Sequence, residues 1–277
     1  MPEREAGTAE FRALAGMPAL AGMRIVVTGA AQGIGASTLR AYVAAGADVA
    51  ALDVNAEAGA SEAAAADAAG PGTAWFLRCD VGSRSSVAEA FGAVADKFGG
   101  RLDVLAHVAG IERSAAAEDL SDSEWDAVFD VNVKGTVYTN QSAFRLMRAD
   151  GGTIINFTSG AALKPYPRGA HYSAAKAAVA AWTRTVAHEW GRYGIRVNSV
   201  APAMRTPMYE AHLARLSAAE LDALRARHRQ RVALHHRADH RGQRRPGRST
   251  LTGPAAADGF HSQFMITVIL FSGSRRR

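Results

Sequence analysis

Short apolar runs alternate with longer helical stretches along most of this chain, from about residue 23 to residue 200. Strands and helices that alternate in this way form parallel sheets in which each crossover contains a helix. The runs are apolar at consecutive positions, as in Ile25-Val26-Val27 and Val104-Leu105-Ala106, and a strand of that kind is covered on both faces. The alternation therefore predicts an α/β fold, a single domain with a doubly wound parallel sheet and helices on both faces.

The boundaries of the elements follow from the same alternation. We expect strands near 24–28, 48–53, 74–79, 102–108, 153–158 and 195–200, and helices near 34–45, 56–69, 85–98, 121–147 and 170–193. The chain then divides into an N-terminal extension over 1–22, a main domain over 23–224 and a divergent basic segment over 225–277. We expect that last segment to be disordered, except for a final strand at 264–271.

The composition excludes several classes of protein. Of the 277 residues 48% are apolar, which is ample for a buried core. No run approaches the roughly 20 consecutive apolar residues of a membrane span, and residues 1–10 lack the pattern of an export signal. Cys79 is the single cysteine, which excludes an internal disulfide and fits a reducing compartment. We therefore expect a cytoplasmic protein that does not interact with membranes.

The basic residues are concentrated near the C-terminus. The formal net charge is +6. The segments 225–248 and 275–277 together carry more positive charge than this, so the rest of the chain is mildly acidic. No aromatic residue is interleaved among those arginines to stack on bases, and disorder accounts both for them and for His235, His236 and His240. We therefore expect neither a nucleic acid nor a metal ion as a partner.

A glycine-rich stretch, Thr28-Gly29-Ala30-Ala31-Gln32-Gly33-Ile34-Gly35, joins the first predicted strand to the first predicted helix. Glycines let the backbone turn sharply and approach a pyrophosphate, which binds the free N–H groups at a helix N-terminus. A glycine trio alone is a weak signal, but its position between a strand and a helix is the context that a dinucleotide requires. We expect the cofactor to contact Gly29, Gln32, Gly33, Ile34 and Gly35.

Acidic residues end the second and third predicted strands. Asp53 can accept from both ribose hydroxyls of an adenosine, and its charge would repel a 2′-phosphate that no Lys or Arg of the glycine stretch offsets. This favours NAD over NADP, although Asp53 can also be read as the cap of the next helix. Asp80, followed by Val81, can accept from an adenine amino group, and a helix cap is again the alternative.

Three polar residues stand where apolar ones would be simpler. Ser159 ends a predicted strand, and Tyr172 and Lys176 lie one turn apart on the same face of a predicted helix. A tyrosine pKa must fall well below its usual value of about 10 for proton transfer near neutral pH, and a desolvated ammonium can favour the phenolate. Ser159 would stabilise the developing charge on a substrate oxygen. A Tyr-x-x-x-Lys pair alone is common by chance.

Together these features resemble the short-chain dehydrogenase/reductase family. The resemblance covers about residues 23–210 and rests on the glycine stretch, the acidic end of strand two, Asn132 within Val131-Asn132-Val133-Lys134-Gly135, Ser159 and Tyr172-Ser-Ala-Ala-Lys176, at the family's intervals. It implies a Rossmann-like fold. It also implies an oxidoreductase that moves a hydride between the nicotinamide of NAD(P) and a carbonyl or secondary hydroxyl carbon of a small-molecule substrate.

The resemblance also implies roles for single residues. Tyr172 would donate or accept the proton, Ser159 would polarise the carbonyl, and Lys176 would tune the tyrosine and hold the nicotinamide ribose. Asn132 would join a water-linked proton relay to Lys176. Members of the family commonly pair through their long helices, which implies a homo-oligomer, a dimer or tetramer. The remaining positions implied to bind the cofactor are Ala109, Gly110 and Thr206.

The sequence departs from the family's pattern in two places. Strand four ends in His107-Val108-Ala109-Gly110 where the family has Asn-Asn-Ala-Gly. Val108 cannot make the side-chain hydrogen bond of an asparagine, so we expect a looser or repacked central sheet there. We interpret His107 as a satisfied core or rim histidine rather than as a catalytic base.

The second departure is larger. From about residue 225 to 257 the apolar periodicity is lost, where the family has a substrate-covering helix. A disrupted reading frame and a diverged basic arm both explain this change. A chain without that lid would bind NAD yet turn over slowly, which is the alternative functional hypothesis. Keto-acyl chains, sugars, steroids and small diols all stay open as substrates.

Overall fold

The computed structural model describes residues 20–203, 206–222 and 265–269. Within them the chain forms one seven-stranded sheet in the order β3-β2-β1-β4-β5-β6-β7. The first six strands pair in parallel and the seventh is antiparallel to the sixth. The strands are β1 (Arg24–Thr28), β2 (Asp48–Asp53), β3 (Thr73–Arg78), β4 (Val104–His107), β5 (Gly152–Phe157), β6 (Ile195–Ala203) and β7 (Met265–Ile269).

The helices lie on both faces of this sheet. They are α1 (Gly33–Ala44), α2 (Ala56–Ala69), α3 (Arg84–Phe98), α4 (Asp122–Phe129), α5 (Gly135–Met147), α6 (Ala170–Trp190) and α7 (Pro207–Leu213). Side chains alternate along β1, so that Val26 belongs to one buried apolar cluster while Ile25 and Val27 belong to the other. The predicted doubly wound α/β sheet with both faces covered is confirmed. No helix of the described residues is long and apolar enough to cross a membrane.

The predicted helix over 121–147 was wrong as a single helix. α4 ends at Phe129, a π-helical turn follows over Asp130–Lys134, and α5 continues from Gly135. A π-helical turn contains one residue more than an α-helical turn. The spacing of apolar residues predicts the buried face of a helix but does not reveal a single inserted residue, so the sequence pattern does not predict this turn. The predicted helix over 170–193 likewise ends at Trp190, and a 3₁₀ turn takes Gly191–Tyr193.

A looser or a repacked central sheet was expected beside Val108, and the structure shows no loosening of the strand pairing at the end of β4. β4 pairs with both neighbours up to His107, which lies opposite Thr28 and Asn156. Its Nδ1 lies 2.9 Å from Thr28 Oγ1 and 3.1 Å from Thr139 Oγ1, so the imidazole joins β1 to α5. Among the described residues its Nε2 has no partner. The histidine is therefore buried, with one of its two ring nitrogens paired.

The order of the strands places a crevice at one edge of the sheet. Successive strands after β1 run outward on one side, through β2 to β3, and then resume on the other side with β4. Ligands of doubly wound sheets bind at this switch point, outside the carboxyl ends of the strands. The predicted site residues follow these carboxyl ends or lie on α1, α6 and the π-helical turn. Of the predicted domains, 1–19 and most of 225–277 lie outside the described residues.

Candidate active site

The glycine stretch forms a tight loop against the start of α1. Gly29 and Gly33 have φ angles of +68° and +56°, a region that glycine enters without strain. A Cβ on Gly35 would lie 1.9 Å from the Gly29 carbonyl oxygen, so the helix sits directly on the loop. Gln32 is at the N-cap position of α1, but its side chain makes no hydrogen bond to the helix, so the backbone N–H groups there are uncapped. The first turn has no acidic residue. The N–H groups of this turn are therefore suited to bind a pyrophosphate.

Asp53 lies at the end of β2 with its carboxylate against the same loop. One oxygen accepts from the Ala31 N–H at 3.0 Å and the other from the Asn55 N–H at 2.9 Å. The cap of α2 is Asn55, whose side chain accepts from the Ala58 N–H. The reading of Asp53 as that cap is therefore wrong, and its carboxylate borders the predicted adenosine position.

Asp80 occupies the turn that follows β3. Its carboxylate is exposed and accepts from the Gly82 N–H at 2.9 Å, while Ser83 caps α3. The neighbouring Val81 is buried, and a Cβ on Gly135 would lie 3.0 Å from it. Val81 thus packs against the start of α5, and only Asp80 of this pair points outward.

The loop after β4 lies directly on the loop after β1. A Cβ on Gly29 would lie 2.9 Å from the Ala109 nitrogen and Cα, and the Ala109 N–H donates to Thr28 Oγ1 at 3.1 Å. Gly110 faces the polar side chains described next. Thr206 lies on the far side of the crevice as the N-cap of α7, where its hydroxyl accepts from the Tyr209 N–H at 3.1 Å.

Ser159, Tyr172 and Lys176 meet at the carboxyl end of β5. The side chain of Ser159 lies beside the Tyr172 hydroxyl and lowers its pKa, and the Ser159 oxygen accepts from the Ala161 N–H at 3.1 Å. Lys176 Nζ lies 5.7 Å from the centre of the Tyr172 ring and donates to the Phe157 carbonyl at 2.9 Å. Tyr172 and Lys176 are both buried. The three side chains therefore form one cluster.

Asn132 reaches this cluster from the π-helical turn. Its amide nitrogen donates to the Ile111 carbonyl at 2.8 Å and to the Val128 carbonyl at 2.9 Å. A Cβ on Gly110 would lie 2.6 Å from Asn132 Oδ1 and 3.1 Å from Lys176 Nζ, so both polar atoms border Gly110. The Oδ1 atom is buried and has no partner among the described residues. π-helical turns inside helices are frequent at functional sites.

The electrostatics of the cluster correct one expectation. Burial raises the pKa of Tyr172, although its hydrogen bond with Ser159 lowers it, and the charge of Glu112 raises it further. Burial also lowers the pKa of Lys176 to about 8. The residues described here therefore do not produce the lowered tyrosine pKa that was expected from the neighbouring ammonium. Both protonation states of Lys176 are instead accessible close to neutral pH.

A second polar group beside Tyr172 was missed by the sequence reasoning. Glu112 Oε1 lies 3.2 Å from His212 Nδ1, and the two side chains are 2% and 1% exposed. The imidazole stacks on the Tyr166 ring at 4.0 Å. Glu112 could have been noticed from the sequence, because it is a charged residue two positions after Gly110, in the loop that follows β4. No local pattern signals His212, because it lies far along the chain.

Among the described residues, no group of three or more His, Cys, Asp or Glu side chains is placed to hold a metal ion. His235, His236 and His240 lie outside the described residues. Cys79 is buried, and burial raises the pKa of its thiol to about 11.

Comparisons with known proteins agree with this geometry. The family model of the short chain dehydrogenases matches residues 23–215. A D-threitol dehydrogenase of Mycolicibacterium smegmatis is 41% identical over 187 residues, which are 67% of this chain and 71% of that protein. A 3beta-hydroxysteroid dehydrogenase of Mediterraneibacter gnavus is 36% identical over 188 residues, 67% of each chain.

A solved structure is similar as well. The crystal structure of a short chain dehydrogenase from Mycobacterium smegmatis has a TM-score of 0.66 and 32% identity, and the match covers 72% of this chain and 86% of that one. The residues that the family model matches include the glycine loop and the cluster of Ser159, Tyr172 and Lys176. The chain belongs to the short-chain dehydrogenase/reductase family, as an NAD(P)-dependent oxidoreductase that acts on alcohol and carbonyl groups.

Proposed function

We propose that this protein is an NAD-dependent dehydrogenase in which Tyr172 transfers the proton of a secondary alcohol or its ketone. The observation that carries the proposal is the cluster of Ser159 with the buried Tyr172 and Lys176 at the carboxyl end of β5. The glycine loop with its uncapped helix N-terminus opens on the same edge of the sheet.

The cluster can perform the proton half of the reaction. The substrate oxygen lies between the Tyr172 hydroxyl and Ser159 Oγ, where both can hydrogen-bond it. During oxidation Tyr172 gives its own hydroxyl proton to the relay at Lys176, whose pKa is lowered to about 8, and takes the proton of the substrate hydroxyl. Ser159 stabilises the charge that develops on the substrate oxygen. Bound NAD supplies the acceptor of the hydride. In reduction Tyr172 returns a proton to the carbonyl oxygen.

Lys176 and Asn132 support this proton transfer. The pKa of Lys176 is lowered to about 8, so the ammonium can lose or regain a proton near neutral pH. Asn132 Oδ1 borders the same glycine as Lys176 Nζ, and the amide is held by two backbone carbonyls. Asn132 therefore orients a relay between Lys176 and solvent.

The residues that hold NAD follow the edge of the sheet. The loop of Gly29, Gln32, Gly33, Ile34 and Gly35 binds the pyrophosphate, and Asp53 binds the adenosine ribose. Asp80 and Val81 border the adenine. The nicotinamide half is held by Ala109, Gly110, Tyr172, Lys176 and Thr206. NAD is preferred to NADP because the Asp53 carboxylate repels a 2′-phosphate.

The proposal extends to the state of the protein in the cell. We infer a cytoplasmic homo-oligomer, which the resemblance implies through the long helices α5 and α6. An apolar groove lined by Phe91, Gly92 and Leu146 runs between α3 and α5, so it adjoins one of the two helices of the expected interface. Light scattering after size-exclusion chromatography measures the mass, and a monomer at micromolar concentration contradicts this part.

The hypothesis of an NAD-binding protein with an impaired lid gains no support from the comparisons. The names of the relatives cover a D-threitol dehydrogenase and a 3beta-hydroxysteroid dehydrogenase, so they do not select one substrate. Residues 225–257, on which the lid argument depends, lie outside the described residues.

The test is a Tyr172→Phe variant assayed with NAD and a panel of secondary alcohols. We expect turnover to fall at least about 1,000-fold, because the proton acceptor is removed, while the Kd for NAD stays within about threefold. Tyr138→Phe is the control. Tyr138 lies on α5, where its ring packs under the guanidinium of Arg84, and the variant should keep full activity. Unchanged turnover in Tyr172→Phe contradicts the proposal.

A further inference from the structure

Three segments bring a second polar cluster to the substrate side of Tyr172. Glu112 lies in the loop after β4, Tyr166 in the loop after β5, and His212 on α7. Glu112 Oε1 and His212 Nδ1 are 3.2 Å apart in a pair that is almost fully buried. The two loops are themselves tied by a hydrogen bond from the Ala115 N–H to the Arg168 carbonyl at 2.8 Å.

The Tyr166 ring connects this pair to the reaction centre. It stacks on the His212 imidazole with centroids 4.0 Å apart and rings inclined by 17°. The same ring also contacts Tyr172, with centroids 5.6 Å apart and rings inclined by 42°. The charge of Glu112 also contributes to the raised pKa of Tyr172. The pair therefore lies one aromatic ring away from the proton-transfer group.

One polar atom of this cluster, His212 Nε2, is buried without a hydrogen-bond partner among the described residues. Buried polar atoms are paired in most proteins, so an unpaired one needs an explanation such as a ligand. Stability alone does not favour a buried Glu–His pair either, since apolar residues of similar volume are often as stable.

The hydrogen bond to Glu112 determines what His212 can recognise. A neutral imidazole that donates its Nδ1 proton to a carboxylate has an acceptor at Nε2. A hydroxyl group can donate to this acceptor, whereas an ether or a methyl group cannot. The nearby Glu112 carboxylate also disfavours an anionic substrate. The site therefore fits a neutral substrate with a hydroxyl beside the reacting carbon.

We propose that Glu112 and His212 select substrates with a second hydroxyl group, so that the enzyme prefers diols and polyols to mono-alcohols. This inference rests on the proposed dehydrogenase function. His212 binds the second hydroxyl through Nε2, and Glu112 holds the imidazole in the required tautomer. Both are specificity-determining residues and neither takes part in the proton transfer.

The test compares alcohols that differ by one neighbouring hydroxyl. Butane-2,3-diol is paired with butan-2-ol, and cyclohexane-1,2-diol with cyclohexanol, at saturating NAD. We expect kcat/KM to be at least about 30-fold higher for the diol of a pair in the unmodified enzyme. A wild-type enzyme that oxidises both members of each pair equally overturns the inference and leaves the dehydrogenase function standing.

Variants then assign the preference to the pair. The double variant Glu112→Leu with His212→Phe keeps a ring to stack on Tyr166 and leaves no unpaired carboxylate. We expect the diol preference to fall to about threefold, mainly through a higher KM for the diol. His188→Phe, at an exposed position of α6, is the control.

A milder variant covers the case in which the double variant fails to fold. Glu112→Gln keeps an acceptor for Nδ1 and should retain at least a third of the diol preference, whereas His212→Phe alone should lose it. A diol preference that survives in His212→Phe overturns the inference. If neither alcohol of any pair reduces NAD in the unmodified enzyme, the dehydrogenase function fails together with the inference.

Discussion

The two halves of the crevice are built by different means. On the side of β1 and β2 the backbone provides most of the site, through the two glycines with positive φ and the uncapped start of α1. On the side of β4 and β5 side chains provide it, namely Ser159, the buried Tyr172 and Lys176, and the proposed Glu112–His212 pair. A backbone site depends on local geometry, whereas a side-chain site depends on segments that are distant in sequence.

Apart from the loss of turnover in Tyr172→Phe, the largest effect is expected from a change in the backbone half. Gly35→Ala places a Cβ 1.9 Å from the Gly29 carbonyl oxygen, and a backbone atom cannot move aside without opening the loop. We expect the Kd for NAD to rise at least about 100-fold, as isothermal titration calorimetry would measure. Gly92→Ala is the control, because a Cβ there meets nothing within 4 Å. Equal effects of the two substitutions contradict a backbone-built site.

The next effect tests the buried side-chain half through its charge. Burial lowers the pKa of Lys176 to about 8 from a usual value of about 10.4 in the unfolded chain. Between these values the unfolded chain holds a proton that the folded one has released, so stability rises with pH. From pH 8 to pH 10 we expect a gain of about 2 kcal/mol in the free energy of unfolding.

Urea titrations of the wild-type protein and Lys176→Met at both pH values measure this gain. The substitution should abolish the gain attributable to Lys176, while Lys97→Met, at an exposed position of α3, should preserve it. A slope that is the same in Lys176→Met and wild type contradicts the burial of a titrating ammonium.

A smaller effect concerns the choice of cofactor. Asp53→Asn removes the charge at the end of β2 but keeps an acceptor for the Ala31 N–H. We expect the ratio of kcat/KM for NAD over NADP to fall about tenfold, since repulsion of the 2′-phosphate is relieved. Asp48→Asn, at the other end of β2, where it accepts from Thr73, should leave the ratio unchanged. An unaltered ratio in Asp53→Asn removes Asp53 from cofactor selection.

The smallest effect comes from His107, between the two halves. Burial, with a smaller contribution from the Lys176 charge, lowers its pKa to about 3, so the folded protein keeps it neutral. Its contribution to stability is full above about pH 6.5 and is lost as the pH falls below that value. From pH 7 to pH 6 the wild type should lose about 0.7 kcal/mol more than His107→Asn. Parallel losses in urea titrations contradict this assignment.

The sequence predicts those features that depend on neighbours along the chain. The glycine loop, the acidic end of β2 and the one-turn spacing of Tyr172 and Lys176 are short-range patterns, and the alternation of apolar runs predicts the sheet. The strands agree with expectation within a few residues at their ends. The π-helical turn at Asn132 escaped prediction, because one inserted residue hardly changes the apolar face of a helix.

Long-range contacts were decided by the tertiary structure alone. One ring nitrogen of His107 is paired because Thr28 and Thr139 meet its ring, and neither partner is close to it in sequence. Burial likewise raises the pKa of Tyr172, which reverses the expectation from spacing alone.

The amino-acid sequence by itself therefore determined the fold class, through the alternation of apolar runs, and the proposed nucleotide loop and proton-transfer residues, because each of these is a short-range pattern. Only the tertiary structure decided that Glu112 meets His212 beside Tyr166 and how far burial shifts each proton. The physical reason is that desolvation and hydrogen bonding depend on what surrounds a side chain in space, and those surroundings come from distant parts of the chain.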